Sequence, residues 1–278
     1  MTHLLGSSKA RKSRATKPDI TKLTILELGP CNVTQNLTTV VNENSWSEVS
    51  NLLFISQPLG VGFSYSEEEA GTHNPFTGEQ EDSTYGVTGE WPVINATELS
   101  TTDLAAVATW HVLQGFLSAL PQLDGKVTSK TFNLWTESYG GHYGPAFYNY
   151  FEDQNQLIAN GTANGTQLIF DTLGIGNGII SESIQAPYYP EFAVNNTYGI
   201  KAVNDTVYEY MKFACYMIGG CLDLCAQCEQ VNRSTDVGMQ YCFQATDQCR
   251  NNVESPYYQY SGRGVYEYDK SSKAYDLY

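Results

Sequence analysis

The residues most able to do chemistry lie between Thr131 and Phe147, in Thr-Phe-Asn-Leu-Trp-Thr-Glu-Ser-Tyr-Gly-Gly-His-Tyr-Gly-Pro-Ala-Phe. Ser138 is the candidate nucleophile. Phe132 and Leu134 alternate with polar residues and close on Trp135, which predicts a short buried strand. His142 to Phe151 reads as the start of a helix, continuing for about 16 residues to Leu157 or Ile158. A serine between the two stands on a sharp turn. Such a turn strains the serine backbone and demands small neighbours two residues before and two after it. Gly140 meets the second demand; the first position holds Thr136. The helix N-terminus would aim backbone N–H groups at a developing oxyanion, which is the chemistry of acyl transfer.

This strand–serine–helix arrangement is the nucleophile elbow of the α/β-hydrolase fold, in a looser form than G-x-S-x-G. On pattern alone, a buried serine in an ordinary strand–turn–helix reads equally well. An acyl-transfer serine also needs a base, and in this fold the order is Ser, then Asp or Glu, then His. The histidines are His3, His73, His111 and His142. Only His142 follows Ser138, and four residues along the same helix it does not fold back onto the hydroxyl. It reads as a helix-surface or supporting residue.

The full string Glu-Ser-Tyr-Gly-Gly-His-Tyr-Gly-Pro, residues 137–145, resembles the active-serine segment of the serine carboxypeptidases, the family of carboxypeptidase Y and cathepsin A. The resemblance runs over roughly residues 23 to 268. It implies an α/β-hydrolase core with a disulfide-rich helical insertion, no cofactor and no metal. It implies release of C-terminal amino acids through an acyl-enzyme on Ser138, with peptide or protein C-termini as substrate. Tyr139 would give one oxyanion N–H and line the pocket for the penultimate side chain. Glu137, and Glu27 in Glu-Leu-Gly-Pro-Cys31, would share a proton and hold the substrate's terminal carboxylate. Two carboxylates in contact do not both ionise cheaply, so one stays protonated and donates to an anion, which favours acidic conditions.

The chain departs from the family pattern at its flanks. The basic leader takes the place of the Gly-rich oxyanion loop, and Ser56 stands where an aspartate is usual. The family's Asp and His lie beyond the capping insertion, where this sequence has ended. A chain truncated at both ends, as a gene-model error or as a true pseudo-enzyme, and inactive as written, is therefore expected. A non-catalytic glycoprotein of the same fold that binds peptide C-termini, or an esterase or acyltransferase on the scaffold, are the alternatives.

Charge and cysteine usage bound the setting. The first 22 residues hold six basic side chains against Asp19, leaving 9 basic and 29 acidic residues beyond, a net of −20. So acidic a body repels phosphate backbones and argues against nucleic-acid binding. No run of about 18 apolar residues stands in the sequence, so no membrane span is expected. Sequons at Asn32, Asn36, Asn95, Asn160, Asn164, Asn195, Asn204 and Asn232 point to the secretory pathway, extracellular or vacuolar, although the N-terminus has no signal-peptide core. Six cysteines, Cys215, Cys221, Cys225, Cys228, Cys242 and Cys249, fall within 35 residues and predict a disulfide cluster, with Cys31 left over. Zinc on Cys221, Cys225 and Cys228 is the weaker reading, because no histidine lies near. The sequence carries no signal of oligomeric state.

Along the chain, residues 1–22 read as a disordered leader and 23–180 as a partial hydrolase core. Residues 181–260 read as the capping insertion, and 261–278 as the return to the core. Core strands are expected at 51–55, 132–136 and 168–175. A helix is expected from Thr101 or Thr102 to Leu120-Pro121, after a long polar surface excursion at 66–100. Gly60-Val-Gly62 does not make a phosphate loop, because Tyr65 stands where the last glycine is needed. Gly176-Asn177-Gly178 is expected to form a tight turn with positive φ. Two helices are expected in the insertion, around Lys201–Ile218 and Cys221–Val231.

Overall fold

A computed structural model of the chain describes residues 29–34, 36–61, 64, 67–74, 80, 86–93, 101–127, 129, 131–264 and 268. Glu27, Asn95, His3 and the leader lie outside them. The chain divides into two compact units, residues 1–179 and 180–278.

Unit 1 opens with two small antiparallel pairs. The strands β1 (Cys31–Val33) and β2 (Thr39–Val41) pair with Cys31 opposite Val41. The strands β3 (Glu67–His73) and β4 (Val87–Val93) pair from Glu67↔Val93 to His73↔Val87. This second hairpin falls inside the stretch expected to be surface excursion. Its glutamates mask the strand signal, while stacking of His73 on Trp91 at 5.0 Å and the hydroxyl contact of Thr72 with Thr88 hold its register.

The helix α1 (Thr102–Leu123) starts at the expected cap, where Thr101 Oγ1 accepts from the Leu104 N–H at 3.2 Å. It does not stop at Pro121. A proline in the last turn removes one donor only, and the Asp124 N–H still reaches the Leu120 carbonyl at 2.8 Å. No unbroken apolar run of about 18 residues exists, but one helix is apolar on average. By length and composition alone α1 could cross a membrane, with mean hydropathy 1.2 over 18 residues, because Ala, Thr and Gly interleave its large apolar residues; a buried core helix passes the same test. Its buried face, Ala105, Ala106, Thr109, Trp110 and Leu113, belongs to the core of unit 1.

Next comes a strand–helix–strand unit, β5 (Thr131–Glu137), α2 (Gly140–Ala159) and β6 (Ile169–Gly176). β5 and β6 pair in parallel from Thr131↔Ile169 to Glu137↔Gly176, with an irregularity at Phe132/Asn133. A parallel pair needs such a crossover, and here it is the helix that follows the serine turn. Leu134, Phe147, Phe151 and Leu168 complete the core with the α1 face. The apolar run at 51–55, expected as a third core strand, makes no ladder among the described residues. Leu53 and Ile55 still pack against the core, so the apolar signal recorded burial rather than sheet pairing.

Two side-chain amides tie β6 back to the helices. Asn155 donates to the Leu168 carbonyl at 2.7 Å and accepts from the Leu168 N–H at 2.8 Å, acting as one residue of a missing strand. Gln114 does the same for Thr166, at 2.9 and 2.7 Å.

Unit 2 is helical: α3 (Glu182–Gln185), α4 (Tyr188–Val194), α5 (Asp205–Tyr216), α6 (Cys221–Gln230), α7 (Asp236–Cys249), a π-helical turn (Arg250–Glu254) and α8 (Ser255–Tyr260). The first helix expected here starts later than Lys201, because Asn204 is its N-cap and accepts from the Val207 N–H at 2.9 Å. Helices α6 and α7 form a stapled hairpin, with disulfides Cys221–Cys249 and Cys228–Cys242. The rungs lie one heptad apart on each helix. The expected cluster is therefore only partly oxidised: Cys31, Cys215 and Cys225 are free thiols. The Cys225 Sγ lies 3.6 Å from the Cys249 Sγ. Burial, and then the nearby Glu182 carboxylate, push Cys215 and Cys225 up to about 11.

Candidate active site

The site residues stand where β5 hands over to α2. Alternation along β5 buries Leu134 and Thr136 and leaves Trp135 half-exposed. The Trp135 ring lies over Gly174 of β6, where an added Cβ would meet it at 2.2 Å, and it packs edge-on to Trp46 at 4.9 Å. The strand end is thus fixed before the turn begins.

Ser138 then takes φ +60°, in the left-handed region that costs an L-residue about 1–2 kcal/mol. Its backbone is held on both sides. The Ser138 N–H donates to the Gly176 carbonyl at 3.1 Å, and the Ser138 carbonyl accepts from Gly141 at 3.0 Å and Ile179 at 2.9 Å. A strained residue survives only where its surroundings over-determine it, and these three bonds do so. The side chain is exposed. Its hydroxyl and the Tyr139 N–H both lack an acceptor among the described residues.

The demand for small neighbours has a direct geometric cause. A Cβ on Gly140 would sit 2.5 Å from the Thr136 Cβ. Threonine replaces glycine at the earlier position with a gain: its Oγ1 donates to the Gly140 carbonyl at 2.9 Å and locks the elbow across its base. Gly141 approaches the chain beyond β6 most closely, since an added Cβ would lie 2.3 Å from the Ile179 oxygen. In the glycine turn after β6, the positive φ falls on Asn177, at 42°, and on neither glycine.

His142 has a role that the sequence pattern did not disclose. Its Nδ1 lies 2.5 Å from the Ile179 carbonyl oxygen, which only accepts, so Nδ1 carries the proton. Its ring stacks on Tyr139 at 4.8 Å and 14°. His142 thus clamps the post-β6 turn to the elbow helix and braces the ring next to the serine. The one signal for this was its place one helical turn after Ser138. Tyr139 also meets Tyr143 edge-on at 5.3 Å, and burial, aided by Tyr139, raises the Tyr143 phenol.

Of the other site residues, Glu137 is exposed at the end of β5, beside Ser138. Glu27 is outside the described residues, so its pairing with Glu137 rests on sequence. His73 and His111 belong to the β3–β4 hairpin and to the exposed side of α1. The sequons at Asn36, Asn160, Asn164, Asn195, Asn204 and Asn232 are exposed, and Asn32 is half-buried. Three sulfurs, of Cys221, Cys225 and Cys249, lie within 4.8 Å of one another. That grouping differs from the trio considered for zinc, because Cys228 is bonded to Cys242, and two of the three are bonded to each other.

Comparison with known proteins finds carboxypeptidases. "Carboxypeptidase S1 homolog B" of Arthroderma otae is 36% identical over 267 residues, covering 87% of this chain and 40% of the relative. "Carboxypeptidase S1" of Penicillium janthinellum is 32% identical over 231 residues, covering 83% of this chain and 45% of the relative. The chain thus spans less than half the length of these relatives. Among solved structures, a prohormone-processing carboxypeptidase from Saccharomyces cerevisiae superimposes with a TM-score of 0.51 over 84% of this chain and 43% of its own, at 19% identity, which gives the fold: an α/β hydrolase. The sequence profile of the serine carboxypeptidases matches residues 23–277, and the chain belongs to that family.

Proposed function

We propose that this chain carries the nucleophile segment of a serine-type carboxypeptidase that releases C-terminal amino acids from peptides. Ser138 attacks the scissile carbonyl, the Tyr139 N–H stabilises the oxyanion, and Glu137 with Glu27 holds the terminal carboxylate of the substrate. The observation that supports this reading most is the conformation of Ser138. A serine at φ +60°, bonded through its backbone on both sides with its side chain exposed, is what an elbow nucleophile requires. The family acts on peptides, and a carboxylate clamp beside the serine selects chain ends over interior bonds and over esters.

His142 is not the base in this scheme: it sits one turn along the same helix, its ring is turned to the Ile179 carbonyl and the Tyr139 ring, and among the described residues no hydrogen bond joins it to the Ser138 hydroxyl. The exposed sequons and the disulfide-stapled hairpin support a route through the secretory pathway, ending outside the cell or in the vacuole. The test is release of the last residue from an N-blocked dipeptide across pH 4 to 8, using the glycoprotein purified from its source and its Ser138→Ala variant. Loss of the nucleophile is expected to lower kcat by roughly 10⁶. Activity that survives Ser138→Ala removes Ser138 from the role, and an unblocked preference for esters removes the clamp.

A further inference from the structure

Unit 2 holds a cavity of about 410 Å³ that the proposed chemistry does not use. Its wall carries six aromatic rings, those of Tyr188, Tyr189, Phe192, Tyr257, Tyr258 and Tyr268. The rings brace one another: Tyr257 stacks on Tyr268 at 5.5 Å and 14°, and Phe192 meets Tyr268 edge-on at 5.1 Å. Glu254 is the one charged side chain on this wall among the described residues. Its carboxylate accepts the Tyr258 hydroxyl, which uses one of about four lone-pair positions.

Charges of both signs act on the rings, but the one charge on the wall itself among the described residues is the negative Glu254. Glu254 and Glu182 both raise the Tyr189 phenol beyond what burial does, and Arg250, which opposes them, does not line the cavity. The Tyr258 and Tyr268 phenols are raised as well, chiefly by burial and against the opposing Arg250 and Arg263 cations, neither of which lines the cavity, so the rings stay neutral and present their electron-rich faces. An anion is repelled by Glu254. A neutral apolar ligand would fill the space but strip water from the carboxylate without replacing it. A cation with a greasy body satisfies both parts of the wall, with charge over the ring faces and near the carboxylate.

We propose that this cavity is an aromatic cage for an organic ammonium ion, a quaternary or alkylated amine. It belongs to unit 2 alone and stands independently of the assignment of Ser138. The probes are choline and its uncharged carbon isostere 3,3-dimethylbutan-1-ol, titrated into the intact glycoprotein by calorimetry and tyrosine fluorescence, with benzyltrimethylammonium as a larger cation. Choline is expected to bind about tenfold more tightly than the isostere, and benzyltrimethylammonium more tightly than choline. Glu254→Gln and Tyr257→Leu are each expected to weaken the cations several-fold, while Tyr257→Phe, which keeps the ring, leaves them bound. Equal binding of choline and the isostere would reduce the cavity to an apolar cleft and overturn the proposal, as would no binding of any cation at millimolar concentration. The comparison of probes on the unaltered protein decides the matter even where a variant folds poorly.

Discussion

Replacing Gly141 by alanine tests whether the elbow helix is held against the turn after β6 as tightly as the structure has it. The new Cβ would lie 2.3, 2.7 and 2.8 Å from the oxygen, carbon and nitrogen of Ile179. All three are backbone atoms, so no side chain can swing away. Relief requires the turn to move off the helix. That movement loosens two bonds that pass through the same residue, Ile179 N–H to the Ser138 carbonyl and His142 Nδ1–H to the Ile179 carbonyl. Overpacking costs about 1–3 kcal/mol, and each loosened bond about 0.5–1.5 kcal/mol. Alanine's helical advantage over glycine returns up to about 1 kcal/mol. The net destabilisation is about 3 kcal/mol, which for a chain of this size lowers Tm by roughly 6–12 °C. Calorimetric unfolding measures it. The control is Gly115→Ala on the exposed side of α1, where nothing lies within 4 Å of the added Cβ. There the helical advantage is unopposed, and Tm is expected to rise by about 2–4 °C. If Gly141→Ala melts within a degree of the parent while Gly115→Ala behaves as expected, the close approach of the turn to the elbow helix is wrong, and the bracing of Ser138 with it.

Other perturbations probe separate parts of the molecule. Ser138→Gly removes the Cβ penalty at φ +60° and is expected to raise stability by about 0.5–1 kcal/mol; a loss of stability in urea titrations would show that the serine is not strained. Asn155→Ala strands both the N–H and the carbonyl of Leu168 and is expected to cost about 2–5 kcal/mol, read from the urea midpoint, with a fall under 1 kcal/mol refuting the amide bridge. The buried thiols of Cys215 and Cys225 are raised from 9.0 to about 11 in the folded chain. Unfolding releases their protons at lower pH than folding permits, so their stabilisation is complete below pH 9 and lost as pH rises to 11. Together they contribute a few kcal/mol, on the order of 1 kcal/mol per pH unit by which each thiol is raised, and a Cys215→Ala, Cys225→Ala variant should show a flatter decline over that window.

The serine turn was legible because three separate demands coincide in one short string: alternation before it, small residues around it and an apolar helix face after it. Thr136 shows the limit of such strings. It departs from the glycine pattern, yet its hydroxyl supplies a bond that glycine lacks. The strand at 131–137 and its partner at 169–176 were readable from apolar runs, whereas 51–55 has the same composition and no ladder among the described residues. Pairing depends on neighbours distant in sequence, and composition reports burial alone. The β3–β4 hairpin was hidden for the opposite reason, since its strands are exposed and carry glutamates at successive positions. The clamp made by His142 was out of reach, because its partner is a backbone carbonyl 37 residues away. The cysteine count predicted oxidation but not its extent. Which thiols pair depends on helix register, which sets the Cys221 and Cys228 rungs and leaves Cys225 facing inward between them.

That register leaves the hairpin with a degenerate choice. Cys221 and Cys225 stand one turn apart on one face of α6, and both reach toward Cys249. Bonding Cys249 to either closes a loop of similar length, with sequence separations of 28 or 24, so chain entropy separates the two products by only about 0.1 kcal/mol. Topology therefore does not select the partner. What preserves the observed isomer once formed is the protonation of the buried Cys225 thiol, because only the thiolate attacks a disulfide and little of it exists near neutral pH. An acidic compartment suppresses it further. The hairpin keeps its wiring through the scarcity of one anion, and a Cys221→Ser chain would carry the same staple on Cys225.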